Sequence, residues 1–342
     1  MSNGTTTRQR RRTTAVAAVV ALIGAAALAG CSESSDSGSK DAKQSQVRLV
    51  DVPGGGLAMY PQIVAAQSQG FFEDAGVDVT RTSSSTSSDA VQLLITKNAD
   101  IATVTPDVAI QAVVKGADLV AIAATSTEAP YFLESKNEYP DVTDFAGKKL
   151  GVPQLTGTAT FLTKVALAKA GLKAGSYELI VTGQASQRLA ALSKGAVDAT
   201  MLPAPLNLSA ESQGYHQVLY LGDAVDAPGA VLLARRDFVE KNPEATVSFL
   251  RAFLQGRNWL YDEKNRDAFL GAVAKDPMGV GITADALGKT YDNFVSTRAI
   301  NPEVGEVDLT TLAQTMVDYG ELKTLPDADA MADNSYLLKA AK

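Results

Sequence analysis

The chain has 342 residues, with 31 Lys and Arg against 38 Asp and Glu, a formal net charge of −7, and 46% hydrophobic residues. An acidic balance repels a phosphate backbone and excludes a nucleic-acid binder, whose partner demands a basic face. The single cysteine excludes an intramolecular disulfide, so apolar burial must hold the fold, and the length implies two lobes rather than one core.

The chain opens with a basic cluster, Arg8, Arg10, Arg11 and Arg12, followed by an apolar run over residues 15–29 made mostly of Ala, Val and Leu. That run is short and Ala-rich, whereas a spanning helix needs about 20 strongly apolar residues. A positive flank, a short apolar stretch and small residues before a break make an export signal. The break, Leu28-Ala29-Gly30-Cys31, resembles the bacterial lipobox. That resemblance implies a signal peptide over 1–30 and lipidation of Cys31. Residues 31–46, rich in Ser, Asp, Gly and Lys, read as a flexible tether. The expectation is a bacterial protein on the extracytoplasmic face of the cell membrane, held there by lipid. The Arg pair leaves the general and the twin-arginine export routes both open.

From residue 47 short apolar strands alternate with amphipathic helices, the pattern of α/β layers. Strands are expected at 47–52, 77–81, 101–104 and 119–124, with helices near 60–69, 89–97 and 107–115. The next stretch repeats the plan, with strands at 149–153, 178–181, 197–201 and 217–221 and helices at 158–170, 186–194 and 206–213. After Pro243 the pattern is almost wholly helical, at 247–261, 267–273, 284–294 and 309–318. Phe249, Phe253, Trp259 and Leu260 at helical spacing read as core.

One internal echo bears on architecture. Residues 88–106 run from a Ser-started helix through Lys97-Asn98 to Ala99-Asp100-Ile101-Ala102-Thr103. Residues 186–203 run from a Ser-started helix through Lys194-Gly195 to Ala196-Val197-Asp198-Ala199-Thr200. Each has an Asn or Gly stop, an Asp opening the strand and a proline after it. Two similar lobes facing one cleft would produce this echo.

Four stretches then carry a family resemblance. Ala65-Ala66-Gln67-Ser68-Gln69-Gly70-Phe71-Phe72-Glu73-Asp74-Ala75-Gly76-Val77-Asp78-Val79 is the first, and Asp144-Phe145-Ala146-Gly147-Lys148-Lys149-Leu150-Gly151-Val152-Pro153 the second. Asn98-Ala99-Asp100 and Gly195-Ala196-Val197-Asp198-Ala199 complete the set. In order and spacing they resemble the nitrate, sulfonate, taurine and thiamine-pyrimidine solute-binding proteins. The resemblance implies an α/β protein of the type II periplasmic binding fold, two α/β lobes joined by a two-strand hinge. It places the first part of lobe 1 at 47–128, lobe 2 at 129–227, and the completion of lobe 1 with C-terminal helices at 228–342. It also implies a monomeric extracytoplasmic component of an ABC importer that passes a small molecule to permease subunits, with a nitrate, sulfonate or taurine-type anion as the leading ligand. A thiamine pyrimidine, another heterocycle or an aromatic acid is the alternative, and an enzyme on the same fold is the rival from another class.

Ligands in open α/β sheets bind beyond the carboxyl ends of the strands, where helix starts offer unpaired N–H groups and a positive dipole end. The strand-to-helix turns therefore supply the substrate-binding candidates: Gly54, Gly55, Tyr60, Ser84, Ser85, Thr105, Thr125, Thr156, Gly157, Thr158, Gln184 and Pro203. Ser and Thr at such places are equally ordinary helix caps, so the case is collective. Arg81 and Arg188 are the nearby cations, while Asp51 and Glu128 lie near the same turns. An acid at Asp51 resembles the pyrimidine-binding branch, although the Trp, Asn and His of that branch are missing. His216, the one histidine, reads as a surface-loop residue, and no Cys–His or multi-His set exists to hold a metal. Pro53-Gly54-Gly55-Gly56 lacks the Gly-Lys-Ser/Thr of a phosphate loop, and no Gly-x-Ser-x-Gly elbow supports a catalytic triad. No catalytic residue and no cofactor are expected.

Overall fold

The computed structural model describes residues 44–52, 61–126, 128–129, 131–155, 157–276, 284–296 and 307–342. The expected signal peptide, tether and Cys31, together with Gly54, Gly55, Tyr60 and Thr156, lie outside the described residues. The first part of the chain forms β1 (Ser45–Asp51), α1 (Pro61–Ser68), α2 (Phe71–Asp74), β2 (Val77–Ser83), α3 (Ser87–Ile95), β3 (Ile101–Val104), α4 (Pro106–Val114) and β4 (Leu119–Ser126). The middle forms β5 (Tyr131–Ser135), β6 (Lys149–Val152), α5 (Thr158–Lys169), β7 (Glu178–Val181), α6 (Ala185–Ser193), β8 (Ala199–Pro203), α7 (Leu206–Ser212) and β9 (His216–Tyr220). The remainder adds β10 (Ala230–Arg235), α8 (Arg236–Lys241), α9 (Pro243–Tyr261), α10 (Arg266–Lys275), α11 (Ala284–Ser296), α12 (Thr310–Asp318), α13 (Ala328–Met331) and α14 (Ser335–Ala340).

Two five-stranded sheets result, ordered β2-β1-β3-β10-β4 and β7-β6-β8-β5-β9. Within each, four strands run in one direction, and the fifth runs antiparallel to both of its neighbours. That strand is β10 in the first sheet and β5 in the second. β5 follows directly on the first sheet's β4, and β10 follows on the second sheet's β9. Each sheet is thus completed by a segment arriving from the other, and the two lobes have the same wiring.

These two strands are where the structure departs from the sequence expectation of four strands per half. Ala230–Arg235 reads AVLLAR, rich in helix formers, yet it is inserted between β3 and β4 with five of its six residues buried. Pairing on both edges overrides local propensity. In β5, Glu134 interrupts the apolar run that would announce a strand. His216 likewise opens β9 half-buried instead of sitting in a surface loop. α9 begins at Pro243, four residues before the expected start, because proline suits the first helical turn, where its missing N–H is not needed. That helix lies against α1: a side chain at Gly256 would collide with the Gln62 carbonyl and with Ala66. Phe249 stacks on Phe72 with ring centroids 5.2 Å apart, while Trp259 sits at the core's margin.

The echo in the sequence has a physical basis. In the first sheet Asp100 N–H donates to the Arg48 carbonyl at 2.9 Å, and Arg48 N–H donates back to the Asp100 carboxylate at 2.9 Å. In the second, Asp198 N–H donates to the Lys149 carbonyl at 2.7 Å and Lys149 N–H returns to the Asp198 carboxylate at 3.0 Å. Each Asp therefore locks the register between the first and third parallel strands of its sheet. The left-handed residue before each lock is Gly195 (φ 70°) in one copy and Lys97 (φ 60°), rather than Asn98, in the other. Arg48 and Arg235 both ion-pair with Asp100, whereas Lys136 alone pairs with Asp198. Burial opposes the charge on both carboxyls, but these donors outweigh it and hold both below the usual carboxylate range. The expected outcome is that Asp100→Asn lowers stability by about 2–3 kcal/mol and the more exposed Asp198→Asn by about 1 kcal/mol. Urea unfolding would measure both, and equal losses would contradict the ordering.

Candidate functional site

The carboxyl ends of the parallel strands in the two sheets face a common cleft of ≈ 250 Å³. Four helix starts reach it. From the first lobe come the segment leading into α3, with Ser85, Thr86, Ser87 and Ser88, and the start of α4, with Thr105 and Val108. From the second come Gly157 and Thr158 opening α5, and Gly183, Gln184 and Gln187 around the start of α6. Thr86 caps α3 by accepting from Asp89 N–H at 3.1 Å, and Gln187 closes a capping box on Gln184 N–H at 2.8 Å. The starts of α4 and α5 have no side-chain cap. Pro106 occupies the first turn of α4, and Gly157 adopts φ +101°, a conformation open to glycine at little cost. The start of α5 is thus left presenting N–H groups to the cleft, while α4 turns its positive dipole end to it with the Asp107 and Val108 amides against the Asp107 carboxyl.

Arg188 supplies the cleft's full positive charge. It is 4% exposed, and its Nε and Nη1 donate to the carbonyls of Met201 and Gly183, each at 2.8 Å. Among the described residues no carboxylate pairs with it. Burial pushes the guanidinium down to about 10, with Tyr131 acting the other way, so the group is still charged at neutral pH. A buried cation lacking a counter-charge is costly, and an anion in the cleft would supply that charge. Tyr131, at the start of β5, lines the same cleft with its phenol raised by burial. Asp107, the second residue of α4, lies behind the wall at 1% exposure; its Oδ1 accepts the Thr158 hydroxyl from α5, and its Oδ2 has no partner.

Of the residues expected from sequence, Ser85, Thr105, Gly157, Thr158 and Gln184 line this cleft together. Ser84 is turned inward, its N–H on the Asp51 carbonyl at 2.8 Å and its hydroxyl on the Thr86 carbonyl at 3.0 Å. Thr125 is buried in β4, where its carbonyl accepts from Gln62 Nε2, and Pro203 ends β8 opposite Tyr131; neither lines the cleft. Ser87, Gln187, Tyr131 and above all Arg188 were not among those site residues. Arg188 did carry a signal. It falls early in α6, near the dipole end that disfavours a cation, with no acid in that helix to compensate.

The sequence matches the family described as NMT1/THI5 like over residues 60–266. The chain belongs to the NMT1/THI5-like family. All four stretches that carry the sequence resemblance fall within that span. The structure of this NMT1/THI5-like chain is similar to the periplasmic nitrate-binding protein NrtA from Synechocystis PCC 6803, with TM-score 0.72, 16% identity and 87% of this chain against 89% of that one covered. It is similar also to the periplasmic aliphatic sulphonate binding protein SsuA from Escherichia coli, with TM-score 0.68, 20% identity and coverage of 85% and 99%. A third similar structure is the ligand binding component of an ABC-type import system from Staphylococcus aureus, with TM-score 0.69, 14% identity and coverage of 87% and 99%. At these identities the likeness shows the fold, which is that of periplasmic binding proteins. No curated protein sequence matches the chain.

Other ionisable groups of this NMT1/THI5-like chain are buried away from the cleft. Arg81 is held at 2.7 Å by Asp51 and at 3.0 Å by Asp276, so it is consumed by acids where Arg188 is not. Asp51 is wholly buried in that triad and is not among the residues that line the cleft. Glu128 accepts the Tyr220 hydroxyl at 2.9 Å. Among the described residues no group of His, Cys, Asp and Glu could hold a metal ion. Glu134, three residues along β5 from Tyr131 and so on the opposite sheet face, is wholly buried with neither oxygen bonded. Burial, then the charge of Glu211, pushes its carboxyl up to about 8. A carboxyl raised on folding stabilises most below its unfolded value and loses that contribution as pH rises through the folded one. Stability should therefore fall by up to about 1.4 kcal/mol per pH unit toward pH 8, and Glu134→Gln should flatten this slope. Melting temperatures of both proteins from pH 5 to 9 check it; parallel curves would refute it.

Proposed function

We propose that this chain is the extracytoplasmic solute-binding component of an ABC importer, and that it captures a small anion of the nitrate, sulfonate or taurine type between its lobes. The observation that carries the reading is Arg188, a buried guanidinium that lines the cleft and, among the described residues, is hydrogen-bonded to two carbonyls and no carboxylate. The uncapped start of α5 adds N–H donors and the start of α4 its dipole on the other side of the anion, and the hydroxyls of Ser85, Ser87, Thr105 and Thr158 add more. Hydrogen bonds involving a charge contribute about 1.5–3 kcal/mol each, and micromolar affinity needs about 8 kcal/mol. Arg188 and two or three of these donors suffice after ordering costs. The nitrate- and sulphonate-binding titles of the similar structures support the same ligand class.

In this reading 47–128 and 228–342 form the first lobe and 129–227 the second, and hinge motion closes them before docking on permease subunits. Residues 1–30 direct export, the lipid on Cys31 anchors a monomer outside the membrane, and 31–46 give it reach. Among the described residues no helix is long and apolar enough to cross a membrane. The protein holds its ligand rather than converting it.

Titration calorimetry with nitrate, methanesulfonate, taurine, bicarbonate, thiamine pyrimidine and benzoate tests the ligand. Binding is expected for at least one of the three strong-acid anions, with Arg188→Met weakening it about 30-fold or more and Arg188→Lys less. Tight pyrimidine or benzoate binding that ignores Arg188→Met would defeat the proposal, as would turnover of any of them. Separately, Cys31→Ser should shift the protein from the membrane fraction to the soluble one; continued retention would remove the anchor.

A further inference from the structure

Besides Lys164–Glu321 at 3.6 Å and Tyr220–Glu128 at 2.9 Å, the lobes share a polar contact beside the cleft that anion capture by Arg188 does not require. Thr158 opens α5 in the second lobe, and Asp107 lies in the first turn of α4 in the first lobe. The Thr158 hydroxyl donates to Asp107 Oδ1 across the boundary, and the two side chains are 3% and 1% exposed. Parting the lobes would return both to water. Bringing them together dries a carboxyl that has one oxygen bonded and the other, Oδ2, without a partner. Oδ2 faces Gly157 on the cleft wall: a side chain there would place its Cβ 3.9 Å from it. Tyr131 feels Asp107 and Arg188 together, so the carboxyl and the anion-holding guanidinium act on one part of the cleft.

An anion beside Arg188 and an ionised Asp107 would be two negative charges in one dry cleft, an arrangement that strongly favours a proton on one of them. Nitrate and sulfonates are anions of strong acids and do not take it. We propose that the anion is captured together with one proton, which Asp107 takes from solvent as the lobes close. In that state Oδ1 still accepts the Thr158 hydroxyl, while the proton on Oδ2 is directed to the cleft wall, where an anion oxygen can accept it. The step balances: protein, anion and a proton give one neutral addition, with no bond of the solute changed. This rests on the reading that the solute is an anion held in this cleft.

The neighbours of Asp107 leave the assignment with it. α5 brings the Thr158 hydroxyl, and its Lys164 pairs with Glu321 at 3.6 Å. β5 brings Tyr131 and α6, beyond it, Arg188. β4 carries no ionisable side chain, and Arg235 of β10 is bound to Asp100. Asp89 of α3, Asp318 of α12 and Asp329 of α13 are exposed. Burial raises the Asp107 carboxyl above its ordinary value, and the Thr158 and Thr105 hydroxyls and the α4 amides offset only part of it. A carboxyl raised by closure favours the closed form most at acid pH. That advantage disappears as pH rises from the ordinary carboxylate value through the closed-state one.

Calorimetry of methanesulfonate and nitrate binding, in buffers of different ionisation enthalpy between pH 4.5 and 8.5, counts the protons. The wild type should take up as much as one proton at the acid end, its affinity dropping up to about tenfold per pH unit where uptake is complete. Asp107→Asn keeps an acceptor for Thr158 and should bind with no uptake, no slope, and an affinity at pH 8 at least equal to wild type. Asp107→Ala should lose the slope too, with weaker binding. Anion binding without proton uptake at any pH, or an Asp107→Asn slope equal to wild type, overturns the inference while leaving the anion reading intact. If no anion of the panel binds, both fall.

Discussion

A parallel sheet exposes the starts of its helices along one edge, and in this protein two such edges are made to face each other by strand exchange. β5 and β10 are the elements that do it. Each leaves one sheet's last parallel strand, or the segment after it, and enters the other sheet between two strands already present. Because each is hydrogen-bonded on both edges, neither lobe can shed its fifth strand without losing two ladders. The crossings are therefore anchored at both ends, and whatever motion the lobes undergo must be taken up in the short connections between them. The cleft depends on that constraint, since its walls are helix starts whose positions follow from the strands before them.

Register within each sheet is settled by a smaller device. The Asp100 and Asp198 carboxylates bind a backbone N–H of the neighbouring strand, and a carboxylate at a strand's opening can do this only in one alignment. A shift by one residue would exchange the two faces of each strand, and in β3 and β8 both faces are packed. The first sheet adds two arginines to its lock and the second a single lysine. The lock in the first lobe is the firmer one. It also carries more of the molecule, because α8 to α14 follow the strand whose Arg235 joins it.

The sequence shows the repeated parts well and the exchanged parts poorly. Alternation of short apolar runs with helical spacing marks eight of the ten strands, the period of each being legible from its own residues. β5 and β10 pair with strands far away in the chain, and their residues bear no local mark of it: AVLLAR suits a helix, and Glu134 hides the other strand. The same division holds in the cleft. Hydroxyl and glycine turns such as Ser85, Thr105, Gly157 and Thr158 are visible because capping chemistry is local. Arg188 and Arg81 look alike in one dimension. Only the fold shows that Arg81 has two acids around it and that, among the described residues, Arg188 has none. Asp51 errs in the opposite direction, an acid at the end of a strand that is already engaged in three dimensions.

Although the lobes share their wiring, they do not share the cleft's charge. The second lobe brings Arg188 and the first brings Asp107, while both contribute helix starts. A solute entering an open cleft would meet the cation of one lobe before the acid of the other has been covered by α5. On the proposed reading, attraction by the guanidinium acts on the open form, and the Thr158 contact with Asp107 forms once the lobes are together. The two events are separable in energy as well as in space. On the proposed reading, Arg188 governs whether an anion is held, and Asp107 governs how much closing around it costs. A binding protein that must later release its solute would benefit from the proposed separation, because the closing term could be reversed without changing the group proposed to hold the anion.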